Sequence, residues 1–161
     1  MPLLMAYPAD LTHFQTIRLP WEAPPLSMND SAGTTKGAVF ARAKMKREIQ
    51  QAVHLLARNV RMPAGTRYLV VQLNYRPRDN RRRDTDNLTA TLKPIADALS
   101  GGSKKIPGLG LVPDDKPQMM GKPEPIIWPA KKGQRGALWL DLWASENPPL
   151  PYDIAAQWPK S

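Results

Sequence analysis

The chain has 161 residues, with 23 Lys and Arg against 14 Asp and Glu, a formal charge of +9 and a sequence pI near 10.0. That length suits one domain able to bury about two thirds of the surface its unfolded form exposes. The absence of cysteine excludes disulfides, thiolate zinc sites and cysteine nucleophiles, and it fits a reducing, cytoplasmic setting. The positive charge points to a polyanionic partner, nucleic acid first, and by itself leaves a membrane surface or an acidic protein open.

Residues 1–15 read as a lead-in. Met1 to Tyr7 carries no basic leader and Asp10 and His13 soon follow, so it does not read as a signal peptide. No apolar run approaches the ~20 residues of a membrane helix, which predicts a soluble chain. Thr16-Ile17-Arg18-Leu19 alternates in polarity and stops at Pro20, a first short strand. A proline-rich loop follows, and its segment 27–33, with Asn29 and Asp30, faces either solvent or a phosphate. Over residues 37–59, Val39, Ala43, Ile49, Val53 and Leu56 recur at helical intervals among Lys44, Lys46, Arg47 and Arg58. This predicts a long amphipathic helix whose basic face is solvated or lies along a nucleic-acid backbone, with His54 packed or exposed rather than a ligand.

Residues 66–75 are dense in β-formers and predict the central strand, which ends at Arg76-Pro77. Arg76, Arg78, Arg81, Arg82 and Arg83 then crowd into eight positions, a density that points to phosphate contact. Residues 84–99 place Leu88, Leu92, Ile95, Ala98 and Leu99 at helical spacing, with Asp86 or Asn87 suited to cap the start. Pro94 predicts a bend or restart near Lys93, and Gly101-Gly102 marks the stop. A basic loop with Lys104 and Lys105 leads to Leu111-Val112. Gln118-Met119-Met120 and Ile126-Ile127-Trp128 are pieces of a third strand, and residues 137–143 form the clearest late strand. Between them residues 131–136 resemble a hairpin tip. Beyond residue 145 the chain is a proline-rich tail, packed through Trp158 or mobile. The expected fold is a compact α+β domain over residues 16–145, strand, helix, strand, helix and two strands, with a small mixed sheet and two helices.

Six of the 14 acidic residues lie from Asp79 to Asp115, beside the arginine run. Carboxylate oxygens hold a hard divalent cation while arginines bind phosphate, so the order suggests a metal-dependent nuclease. On an extended segment Asp84 and Asp86 point the same way and can converge on one cation; alternatively, both are capping or turn residues. A calcium loop does not fit, because neither its glycine nor its distant glutamate follows. Asp114-Asp115, after an apolar approach, offers a third ligand. At ~100° per residue Lys93 and Asp97 fall on the helix face of Asp86 if the helix is unbroken.

Taken together, Arg83-Asp84-x-Asp86-Asn87-Leu88, Lys93-x-x-x-Asp97-Ala98-Leu99 and Asp114-Asp115, preceded by Leu19-Pro20-Trp21 and a loop at 25–29, resemble the RusA family of Holliday junction resolvases, common in phages and prophages. The likeness spans most of the chain. It implies Asp84, Asp86 and Asp115 as ligands of Mg²⁺, with Mn²⁺ as substitute, and Lys93 as the lysine near the scissile phosphate. It also implies an intertwined homodimer acting on four-way DNA junctions. Asp97, Asp114 and Asn87 are candidates to orient the ligands, and Arg76, Arg78, Arg81, Arg82, Arg83, Lys104, Lys105 and Lys116 are candidate DNA contacts. No membrane partner is expected, and a phage-encoded copy would act in the host cytoplasm. One departure stands out. The family pattern has its lysine four residues after the second aspartate, where this chain has Ala90; Lys93 comes at seven, displaced ~4.5 Å along a helix. The competing readings are a non-catalytic basic DNA-binding protein, whose aspartates are caps and turns, and a metal nuclease acting on other branched DNA, flaps or RNA.

Overall fold

The structure, a computed structural model, describes residues 7–26, 35–149 and 151–152. Its elements in chain order are β1 Thr12–Arg18, α1 Lys36–Ala57, β2 Tyr68–Arg76, α2 Asp86–Leu99, β3 Met120–Gly121, β4 Ile126–Ile127 and β5 Ala137–Ser145. They form a single α+β domain, two helices on a mixed five-stranded sheet of order β1-β5-β2-β3 with β4 also on β2. No helix among the described residues is long and apolar enough to cross a membrane.

The near-continuous apolar run of β2 is explained by its central place. Antiparallel β5 covers one edge from Tyr68 opposite Ser145 to Arg76 opposite Ala137. On the other edge β3 and β4 lie parallel, at Leu69–Val70 and Asn74–Tyr75 respectively. The predicted third strand is therefore two short pieces of one interrupted edge. The segment at residues 131–136 is not a hairpin tip, because β4 and β5 lie on opposite sides of β2 and the connection must cross the end of that strand. Its turn closes through Gln134 N donating to Lys131 O, with Gly133 at φ 77°.

Alternation along the strands sends Leu69, Val71, Leu73 and Tyr75 of β2, Leu138, Leu140 and Leu142 of β5 and Ile17 of β1 into one core with the helices. α2 contributes Leu88, Leu92, Ile95, Ala96, Ala98 and Leu99, and α1 packs on α2 through Ile49, Val53 and Ala57. The expected stripe on α1 was too wide, since Val39 and Leu56 are exposed. α1 has 22 residues against 14 in α2, so at 1.5 Å per residue it is roughly 12 Å longer, and the residues it buries all lie in its second half.

Three further boundaries differ from expectation. β1 starts at Thr12, so residues 12–15 are strand rather than lead-in; a register shift between His13 and Gln15 interrupts the alternation that would have betrayed it. α2 runs unbroken through Pro94, whose neighbours Leu92, Ile95 and Ala96 are all held in the core. Its N-cap is Thr85 rather than Asp86 or Asn87, and Thr85 makes no side-chain cap hydrogen bond. The loop at 27–33 and Trp158 lie outside the described residues. The start of the tail is tied back, with Glu146 N donating to Asp10 Oδ2 at 3.1 Å.

Candidate active site

Lys93, in the third turn of α2, is the hub of the acidic residues. Its Nζ lies 2.7 Å from Asp115 Oδ2 and 3.1 Å from Asp97 Oδ1, the latter one helical turn on. Lys122, just past β3, gives Asp115 Oδ2 a second ammonium at 3.1 Å. Asp114 accepts the backbone N–H of Asp115 at 2.7 Å, fixing the turn that presents Asp115, and Lys116 lies 3.6 Å from its other oxygen. Partial burial raises the Asp115 pKa, but hydrogen bonds and charge from Lys93 and Lys122 outweigh it and bring the carboxyl to about 2. The Lys93 pKa is raised, chiefly by its hydrogen bond to Asp115.

Asp84 and Asp86 lie at the start of α2 and make no hydrogen bond or ion pair to that cluster among the described residues. Thr85 between them donates its hydroxyl to Glu124 Oε1 at 2.7 Å, and Gln72 Nε2 of β2 donates to the Glu124 carbonyl at 3.1 Å. Glu124 lies two residues beyond Lys122 in the loop between β3 and β4. That loop therefore joins the start of α2 to the Lys93–Asp115 cluster. Both aspartates are exposed, and Asp86, the first residue of α2, sits where the helix dipole favours a negative charge.

Oxygen donors of this kind suit a hard cation such as Mg²⁺. Their arrangement does not make its site: among the described residues no group of three or more His, Cys, Asp or Glu is placed to hold a metal ion. The charge of Asp115 is met instead by Lys93 and Lys122.

The arginine run is organised by Asp79. Arg83 donates from Nη2 to Asp79 Oδ1 at 2.8 Å and from Nη1 to the carbonyls of Asp79 and Arg81, and with 24% of its side chain exposed it serves the loop's own fold. Arg78 and Arg81 approach Asp79 at 3.7 and 3.6 Å. The Asp79 pKa is lowered, first by the Arg83 hydrogen bond. A cleft of about 420 Å³ lined by Arg82, Arg83, Asp84, Asn87, Tyr75, Leu88 and Pro24 adjoins one of about 600 Å³ lined by Arg78, Arg135 and Glu22, with Tyr75 and Arg83 common to both. Arg76 is half-buried, its Nε without a hydrogen-bond partner among the described residues, while Lys104 and Lys105 lie exposed on the turn after α2.

Compared with protein-family models, curated proteins and solved structures, the chain matches none. Sequence reasoning gave no role to four side chains here: Lys122, Glu124, Asp79 and Arg135. Lys122 and Glu124 fall in a loop between two-residue strands, where no periodicity announces a face. Asp79 could have been found as the lone acid within the arginine run.

Proposed function

We propose that the protein is a metal-dependent endonuclease of the RusA kind, a homodimer that cuts four-way DNA junctions by paired symmetric nicks. The observation that carries this reading is the ion pair between Lys93 and Asp115, 22 residues apart, made from the same helix whose first turn, at Asn87 and Leu88, lines the arginine-bearing cleft that contains Asp84. Acidic side chains gathered beside arginines in a chain of net charge +9 do not serve to attract a polyanion, so they need another role.

The reading requires Mg²⁺ or Mn²⁺, which when bound supplies an activated water and a polarised phosphate. The chain's own residues supply the rest. Arg82 lines one of the two adjoining clefts and Arg78 and Arg135 the other, a surface able to hold the DNA backbone by charge and hydrogen bonds. Lys93 carries a positive charge fixed by two carboxylates, suited to stabilise charge developing on the scissile phosphate. A two-fold dimer matches a substrate with two equivalent strands to cut.

A second reading, a non-catalytic DNA-binding protein, is favoured by one observation: Asp115 is neutralised by lysines rather than grouped with other acids. A labelled four-way junction beside linear duplex of the same sequence, with and without Mg²⁺, separates them. Symmetric nicks on the junction that need Mg²⁺ are expected. Binding without any metal-dependent cut refutes the nuclease reading.

A further inference from the structure

A groove of about 390 Å³ lies between the second half of α1 and the turn that follows α2, lined by Gln50, Gln51, His54, Leu55 and Arg58 on one side and by Asp97, Ala98, Ile106 and Pro107 on the other. Its volume is within the ~300–1,000 Å³ usual for small-molecule sites. We infer that it is a nucleobase pocket, which takes one unstacked base of a DNA strand whose backbone passes Lys93 and Asp115. The inference deepens the nuclease reading proposed above and rests on it for the identity of the strand.

Asp97 joins the groove to that site. Its Oδ1 accepts from Lys93, which in turn holds Asp115, so a phosphate at Lys93 has the groove immediately beside it. Asp97 Oδ2 has no hydrogen-bond partner among the described residues, and an exocyclic amine of cytosine, adenine or guanine is the donor a carboxylate selects. Gln50, Gln51, His54 and Arg58 likewise make no side-chain hydrogen bond or ion pair among the described residues. Each Gln amide carries donors and an acceptor, the combination a base edge requires, while Leu55, Ile106 and Pro107 give apolar surface for the ring faces. An apolar peptide in the same groove would cover these polar groups without pairing them, at a cost of roughly 1–3 kcal/mol each.

The outer wall is rigid, as a base-reading site needs. Residues 101–108 fold back as a tight turn with Ser103 N donating to Ile106 O and Gly108 N to Gly101 O, both at 3.0 Å. Leu109 N and Gly110 N then tie the turn to the carbonyls of Ala98 and Ser100 at the end of α2, at 2.8 and 2.9 Å. Gly102, at φ +65°, permits the fold-back, and at Gly108 a Cβ would strike the carbonyl oxygens of Ser100 and Asp97. Ile106 and Pro107 are thereby held across the groove from α1 by the turn's own hydrogen bonds.

The test uses the full chain with ¹³C-labelled Leu and Ile methyls. The four deoxynucleoside monophosphates are titrated in, and deoxyribose 5-phosphate serves as the base-free control. Shifts at Leu55 and Ile106 with at least one nucleotide and none with the sugar phosphate are expected. In the double variant Gln50→Ala/Gln51→Ala, at one half-buried and one exposed position, affinity should fall about tenfold, the scale of a lost hydrogen-bonding edge. No shift with any nucleotide, or equal shifts with the base-free sugar phosphate, overturns the pocket. The same preparations are offered four-way junctions with a single abasic site walked across the cut; one position where base loss slows cleavage supports the pocket's place beside the cut, and uniform cleavage overturns it. If no DNA is cut while the methyl shifts persist, the nuclease reading falls and the nucleobase site stands.

Discussion

Replacing Lys93 with Met removes the ammonium between Asp97 and Asp115 while keeping most of the side chain's bulk, and the structure sets two unequal magnitudes for the result. An Asp carboxyl drawn from 3.8 to about 2 corresponds to about 2.4 kcal/mol of net differential stabilisation, left after burial has opposed the two lysines. The attraction behind it comes from both Lys93 and Lys122, and Lys93 is 61% exposed, so screening holds its part to about 1 kcal/mol or less, the scale of an exposed pair. A preorganised positive charge beside a reacting phosphate is worth more, about a hundredfold or greater in rate. Lys93→Met should therefore fold almost normally and cut very poorly. Single-turnover cleavage with saturating enzyme gives the rate, and urea unfolding gives the stability. The sign of the pH dependence follows from the depressed carboxyl. Its stabilisation is complete above about pH 4 and is lost as pH falls toward 2, so wild type should lose more stability than Lys93→Met across that window. Near-normal turnover in the variant would refute the assigned role, and a stability loss above about 3 kcal/mol, far beyond an exposed pair, would make Lys93 structural instead.

If the proposed metal assembles on them, Asp84→Asn, Asp86→Asn and Asp115→Asn should each abolish nicking while leaving junction binding intact or tighter, since each would remove a carboxylate from that site and a repulsion toward phosphate; gel shift and nicking on one preparation check this. Arg82→Ala and Arg135→Ala should each lower the slope of log affinity on log salt by about one. Arg83→Ala, whose guanidinium is turned onto Asp79, should instead loosen the loop, read as faster proteolysis there. Ile95→Ala, at a position with no exposure, should cost about 2–5 kcal/mol in chemical denaturation, and a smaller loss would mean that α2 is not anchored as described.

Most of the fold was legible because its main elements are long enough to show their period. The apolar run of β2, the alternation of β5 and the helical spacing of both helices each repeat several times. What escaped was set by partners distant in sequence. β3 and β4 are two residues each, too short for any period, and exist because β2 offers an open edge to pair with. The first half of β1 is masked by its own register shift and is strand because β5 runs beside it. Pro94 looked like a break because propensity speaks for an isolated helix, whereas here α2 is fixed by the core on both sides of the proline.

The candidate site divides along the same line. The order of aspartates, arginines and lysine is local information and was visible, but which acid meets which base depends on how distant loops fold together. An unbroken α2 keeps Lys93 on the face of Asp86 yet about 10 Å further along the axis, so the lysine leaves the neighbourhood of the first aspartates. It arrives instead at Asp115, carried in by the turn that Asp114 closes, and meets Lys122 from the far edge of the sheet. A three-residue change of spacing on a helix thus preserves direction and alters height. Whether such a shift spares or ruins a site is decided by the loop that waits at the new height. In this chain that loop carries an aspartate, which is why Lys93, rather than a residue at position 90, has a carboxylate from a distant segment to engage.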